Sequence, residues 1–392
     1  MTLLRAAAVF DGERRLDDAE VLLSGDRITA VGTHLDAADA DVVTLAGTTL
    51  LPGLIDLHSH VLLHPYDQIS WNDQVLREPE ALRVARAVGA LRATLAAGFT
   101  TLRDLGTEGA GDADVGLREA VDRGIIAGPR LICATRALVA RGSYGPTGFA
   151  PHVCIPQGAQ EVDGVESIAS ATRRQIRAGA QWIKVYADYR YGPRGDARPA
   201  FSADELALIV RIANDAGCPV AAHATTSEAM RRSTLAGVAT IEHGDDGDAE
   251  VFALMAERGV ALVPTLAVSE SMARYRGLAD DDPARLRKRA SFAAARASGV
   301  TIANGSDVGP FPHGDNSREI SLLVEHGLTP LEALRAATSV AAKVLRSDDI
   351  GVLRPGARAD LVAIEGDPFD DINLLRRVRA VWKDGVRHTL SS

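Results

Sequence analysis

Cysteine is scarce in this 392-residue chain: Cys133, Cys154 and Cys218 are odd in number and far apart. Such thiols argue against a disulfide framework, and none sits in a Cys-x-x-Cys or other metal-like spacing. Basic residues are also short, 43 against 52 acidic ones, which leaves a formal net charge of −9 and a pI near 5.6. A nucleic-acid binder needs a basic face to displace phosphate counterions, so the balance argues against that class. Long apolar runs are missing too. The longest uncharged stretch, between Asp41 and Asp56, is broken by Gly47, Pro52 and Gly53, whereas a bilayer span takes about 20 apolar residues. The run Ala6 to Phe10 stops at Asp11, Glu13, Arg14 and Arg15, too early for a signal peptide. An ordinary apolar fraction of 46% without heptads excludes collagen-like, disordered and coiled-coil classes. The default expectation is a soluble cytoplasmic protein with no membrane partner.

At roughly 150 residues per domain the length suggests two or three domains, one of which can be a barrel of about 250 residues. Short strand patterns open the chain (Leu4 to Phe10, Glu20 to Leu23, Arg27 to Val31, Asp41 to Thr44, Thr49 to Leu51) and return near its end (Asp360 to Ile364, Val378 to Trp382). Between them, apolar stretches alternate with segments of helical period. The strands expected are Gly53 to Asp56, Thr100 to Asp104, Arg130 to Ala134, Trp182 to Tyr186, Val220 to His223, Thr240 to His243, Ala261 to Thr265 and Thr301 to Ser306. The helices include Glu78 to Ala97, Val165 to Ala178, Ala203 to Ala216, Leu286 to Ala297 and a long one from Thr329 to Leu345. This alternation predicts an α/β fold: a (β/α)8 TIM-like barrel over 53–352, with a small discontinuous β-sandwich domain from 1–52 plus 353–392.

Chemistry-bearing residues fall at the ends of those strands. His58 and His60 close the first, and side chains two apart on a strand point the same way. Lys184 interrupts the apolar fourth, His223 and His243 end the fifth and sixth, and Asp307 follows the eighth. A lone strand-end His is usually structural, and a lone Asp after a strand is usually a helix cap. Four of the ten histidines at the ends of three strands outweigh those readings. In a barrel all these ends face one rim, where such folds keep their active sites. Imidazoles and carboxylates suit Zn2+ and similar divalent ions. An ammonium 4 Å from a dication would be repelled by about 8 kcal/mol at an effective dielectric near 20. Lys184 must therefore be neutral or modified, and its reaction with CO2 to an anionic carbamate would supply two bridging oxygens.

With these residues in this order, the chain resembles the amidohydrolase superfamily, in the branch of imidazolonepropionase-like and Xaa-Pro dipeptidase enzymes. The tail Gly356-Ala357-Arg358-Ala359-Asp360-Leu361-Val362 and the closing Val381-Trp382-Lys383-Asp384-Gly385 share in the likeness. The resemblance implies two divalent metal ions, with His58, His60 and Asp307 on one, His223 and His243 on the other, and a carbamate on Lys184 between them. It implies hydrolysis of an amide bond by a metal-bridging hydroxide, with Asp307 as general base and then general acid, and a homo-oligomeric assembly. Substrates would be small molecules: dipeptides such as Xaa-Pro, N-acyl amino acids or ochratoxin-like aryl amides. A lactonase or esterase, or a non-catalytic scaffold of the same fold, are the competing readings. Rim residues proposed to contact substrate are Tyr144, Tyr189, Arg190, His313 and Arg318. Thr225 stands where dipeptidase relatives tend to place a Tyr. Trp71 and Trp382 are read as packing residues, with an interface role as the alternative.

Overall fold

A computed structural model describes residues 1–150, 152–191 and 195–388. The two β-rich ends hydrogen-bond to each other. Thr2–Phe10 runs parallel to Asp41–Pro52 and antiparallel to Glu20–Ser24, which pairs in turn with Arg27–Gly32. From the other end of the chain, Leu361–Glu365 joins Asp41–Pro52, followed by Val378–Lys383 and Val386–His388. With Arg15–Asp17 they form one eight-stranded sheet. Asp41–Pro52 is one strand where two were expected, because Gly47 at φ +70° absorbs an irregularity that shifts the register without ending the pairing. Leu4, Val9, Val21, Ile28, Leu50, Leu361 and Trp382 pack together at its core, so Trp382 is an interior residue and no surface anchor.

Asp384, in the turn after Val378–Lys383, ties this sheet to the rest of the chain. Its carboxylate accepts from Arg130 Nη2 at 2.7 Å, Arg358 Nη1 at 2.9 Å and Lys383 Nζ at 3.0 Å. Burial pushes its pKa up, but Arg130 and Lys383 outweigh that and hold it well below the usual carboxylate range. Asp384→Asn should therefore cost about 1–2 kcal/mol at pH 7. Because the folded-state pKa is depressed, the wild-type advantage is complete above the unfolded carboxyl value near 4 and fades as pH falls below it. Urea unfolding of both proteins at pH 7 and pH 3 checks this; an equal gap at both pH values would contradict it.

The middle of the chain alternates strands and helices. Leu54–Ser59, Phe99–Asp104 and Arg130–Cys133 form a parallel sheet. A second parallel sheet holds Gln160–Val162, Leu138–Ala140, Ile183–Tyr186, Val220–Thr226, Thr240–Asp246 and Ala261–Val263. Cys133 O accepts from Gln181 N at 2.8 Å, which joins the two sheets on one side. On the other side the residues 301–308 run between them, bridging Leu262 to Ile302 and Ser59 to Val308. This segment was expected as a strand over Thr301 to Ser306, yet it pairs only at isolated points. Gly305 sits so close to its neighbours that a Cβ there would lie 2.3 Å from Val263 Cγ1, and Asp307 turns the backbone to φ +60°.

Helices cover the sheets with apolar stripes. Ala203–Asp215 buries Leu206, Ile209, Val210 and Ala213 and opens on a Ser202/Glu205 capping box. Pro79 separates Glu80–Ala96 from a short helix, Trp71–Arg77, that the sequence reading did not contain. The long helix expected from Thr329 to Leu345 is two, Pro330–Ala336 and Ser339–Val344. It breaks because the Ala336 and Ala337 carbonyls accept from Asn304 N and Ile55 N instead of continuing the helix. Among the described residues no helix is long and apolar enough to cross a membrane.

Candidate metal centre

His58 lies inside the strand Leu54–Ser59, and His60 follows it, its backbone N–H held by Val308 O at 2.8 Å. Asp307 N donates to His58 O at 2.8 Å, so the irregular 301–308 segment delivers the carboxylate directly beside the His-x-His pair. Asp307 Oδ1 lies 3.6 Å from His58 Nε2 and 3.3 Å from His60 Nε2. One ligand atom from each of His58, His60 and Asp307 falls within 4.8 Å of the others. Lys184 Nζ is 3.5 Å from His58 Nε2, and His243 Nδ1 is 4.0 Å from Asp307 Oδ2. The His58 and His243 ring centroids are 5.1 Å apart and those of His223 and His243 4.5 Å. These contacts join all six selected side chains into one cluster.

Three of the four imidazoles are held from behind. His58 Nδ1 meets Glu242 Oε2 at 2.9 Å, and His60 Nδ1 donates to Gly106 O at 2.9 Å. His243 Nδ1 meets Thr265 Oγ1 at 2.7 Å. His243 itself sits at φ +75°, and Lys288 secures it by donating to His243 O at 2.8 Å and Pro264 O at 2.5 Å. Glu242 in turn binds Arg103 Nη2 at 2.9 Å, while Arg103 Nε donates to Leu57 O at 2.6 Å and its guanidinium lies 4.3 Å from the Trp182 ring centre. Glu242, Arg103, Thr265 and Lys288 escaped the sequence reading. The signal for two of them was present: an ionisable residue within an apolar strand, as for Lys184, is seldom accidental.

The electrostatics favour ligation. Burial pulls His58, His223 and His243 well below the ordinary histidine value, reinforced by Lys184 at His58 and His223 and by the neighbouring His223 and His58 at His243, which keeps them neutral. His60 goes the other way, to about 9, because Asp307 overcomes its burial penalty; a metal would displace that proton. Lys184 is buried and pulled down to about 8, chiefly by desolvation. Among the described residues it has no carboxylate at ion-pair distance, the condition in which a buried lysine loses its proton. Four imidazoles, a carboxylate and a buried lysine whose pKa is lowered together are a donor set that fits a divalent ion once the metal displaces their protons.

A cavity of about 1050 Å3 opens onto this cluster, with His223, His243, Asp307, Tyr189, Arg190 and Thr225 on its wall. Tyr189 and Arg190 thus lie where substrate-contact residues were expected. Three other candidates do not line it. Tyr144 is buried with its hydroxyl on Glu108, His313 Nε2 faces Leu63 O at 3.4 Å, and Arg318 is clamped by both oxygens of Glu270 at 2.7 and 2.8 Å. The Tyr144 hydroxyl and the Arg318 guanidinium are engaged within the chain, whereas His313 Nδ1 is buried without a partner among the described residues. Thr225 N and Oγ1 both bond to Asp188, which also caps the next helix through Thr226.

Histidines and a carboxylate gathered on the strands of an α/β sheet and open to a cavity form a group that could hold a metal ion, an arrangement suited to hydrolysis. Residues 49–390 match the Amidohydrolase family, and the chain belongs to that family. Its TIM-like barrel architecture and amide hydrolysis follow at that level. The chain is 31% identical over 428 residues to the ochratoxinase of Aspergillus niger, covering 98% of this chain and 86% of that one. A solved Xaa-Pro dipeptidase with bound methionine superposes with a TM-score of 0.88 at 30% identity, covering 99% of both chains. A prolidase complexed with N-methylphosphonate-L-proline gives 0.89 at 33% identity, again with 99% of each chain covered.

Proposed function

We propose that this protein is a binuclear metal-dependent hydrolase of amide bonds in dipeptides, N-acyl amino acids or related aryl amides. The observation that carries the reading is Lys184, a buried amine with no carboxylate partner among the described residues, 3.5 Å from His58 Nε2 in a cluster of four histidines and Asp307. In this reading His58, His60 and Asp307 would hold one ion, His223 and His243 would hold a second, and Lys184 as its carbamate would supply further oxygen ligands. Carbamate formation balances as neutral amine plus CO2 giving the N-carboxylate and one proton. A divalent ion held there, Zn2+ by donor chemistry, would lower the pKa of a bound water toward ~7 and would polarise a carbonyl.

The chain's own groups then divide the remaining work. Asp307, open to the cavity, accepts the proton of the attacking water and returns it to the leaving nitrogen. Its carboxyl is held below the usual range because His58 and His60 outweigh the cost of burial, so it starts as the base. Glu242, Gly106 O and Thr265 fix the three imidazoles and thereby their lone-pair directions. The same reading has the strands close into a (β/α)8 barrel over 53–352, with 1–52 and 353–392 as the smaller β domain. The parallel pairings and the bridges through residues 301–308 support it.

The test is hydrolysis of a panel of dipeptides and N-acyl amino acids by protein reconstituted with Zn2+ and bicarbonate, with metal content measured in parallel. Two ions per chain and turnover that a chelator abolishes are expected. No bound metal after reconstitution would overturn the proposal, and preference for matched esters would reassign the protein as an esterase or lactonase.

A further inference from the structure

Beside the metal cluster lies a second constellation that the hydrolytic chemistry does not use. Glu108 is buried and sits at φ +50°, a conformation costly for a residue with a side chain. Arg83 holds it there, donating to Glu108 O at 2.8 Å, Thr107 O at 3.0 Å and Leu62 O at 3.1 Å. The Glu108 carboxylate accepts from Trp71 Nε1 at 2.9 Å, from the Tyr144 hydroxyl, and from the Tyr186 hydroxyl at 3.4 Å. Its Oε1 lies 3.9 Å from His60 Nδ1. Gly158 leaves room for the indole, since a Cβ there would come within 2.6 Å of Trp71 Cζ2.

Around this carboxylate the rings form a continuous wall. Tyr144 packs on Trp71 at 4.9 Å, on Tyr186 at 4.6 Å and edge-on to Tyr189 at 5.0 Å. Tyr186 stacks on His223 at 4.6 Å and 21°. The wall reaches the cavity at Tyr189. Four of the nine Tyr and Trp residues of an aromatic-poor chain converge here from separate segments. Packing alone would be served as well by Phe or Leu, without burying a carboxylate; the hydrogen bonds fix how the rings are turned.

We propose that Glu108 is a specificity-determining positioning residue, which sets an aromatic wall ending at Tyr189 that receives a planar ring carried by the substrate beside its scissile amide. The ring subsite rests on the hydrolase reading above, and the test separates the two. With the zinc-loaded full chain, kcat and KM are measured for N-acetyl-L-phenylalanine against N-acetyl-L-alanine, and for N-benzoylglycine against N-acetylglycine. The wild type should favour the ring-bearing member of at least one pair by about 10-fold or more. Glu108→Gln presents an amide N–H2 to three donors, so that preference should collapse toward unity, mainly through KM, with zinc content unchanged. Should that variant fail to fold, Tyr189→Leu at the cavity wall must abolish the same preference. Calorimetric binding of 3-phenylpropionate against butanoate covers a protein that hydrolyses none of these: tighter ring binding lost in Tyr189→Leu would keep the subsite while removing the hydrolase reading. No ring preference in either assay, or one that survives in Tyr189→Leu, overturns the inference.

Discussion

Asp307→Asn should retain bound metal and turn over at least ~100-fold more slowly than the wild type. The substitution preserves shape and an oxygen able to face His58 and His60, at present 3.6 and 3.3 Å away. What it removes is the capacity to accept a proton. Among the described residues the neighbouring carboxylates are engaged elsewhere: Glu242 with His58 and Arg103, Asp188 with Thr225 and Thr226, and Glu108 with Trp71 and Tyr144. The loss should fall on kcat more than on KM, because the proton is transferred in the transition state and not on binding. Metal analysis beside steady-state kinetics decides it. Unchanged turnover with full metal occupancy would remove Asp307 from the proton-transfer role, and lost metal would make it a ligand first.

The second large effect is expected behind the site. Glu242→Ala removes the only carboxylate paired with Arg103 among the described residues, and the Arg103 side chain has no exposure at all. Breaking a buried ion pair from one side leaves an uncompensated charge and costs about 3–5 kcal/mol. The same change frees His58 Nδ1, and losing such a supporting carboxylate typically weakens metal binding 10–100-fold. Glu242→Gln, which keeps one acceptor for His58, should lose less of both. Chemical denaturation and a competitive zinc titration measure the two effects separately. Full stability in Glu242→Ala would show that Arg103 is satisfied by Leu57 O and Thr240 alone.

The chain's local patterns carried a good part of the architecture. Apolar strands with helical segments between them were readable because strand and helix periodicities are properties of neighbouring residues. The exceptions have specific causes. The helix expected over Thr329 to Leu345 is divided because two of its carbonyls serve Asn304 N and Ile55 N, residues far away in sequence. The stretch before Asp307 is irregular because Gly305 must pass close to Val263 and His58. Both depend on partners that no local window contains.

The candidate metal residues were visible for a simple reason: each is a residue of unusual chemistry within or just after an apolar stretch, and the strands of a parallel sheet bring such positions toward one rim. Rim-loop residues have no such rule. Arg318 looks free in the sequence, yet Glu270, 48 positions earlier, occupies its guanidinium. Tyr144 was singled out as a substrate contact, but its hydroxyl turns inward to Glu108 and its ring supports Tyr189 instead.

By itself, then, the order of residues determined the alternating secondary structure and the chemical kind of the site, since periodicity and donor type are written locally. Only the tertiary structure decided which groups stand behind the ligands and which rings face the cavity. Those choices hang on hydrogen bonds such as Glu242 to His58 and Trp71 to Glu108, spanning 184 and 37 residues. Their partners meet only because folding brings distant segments to within 3 Å, and a carboxylate in isolation carries no mark of the donor it will find.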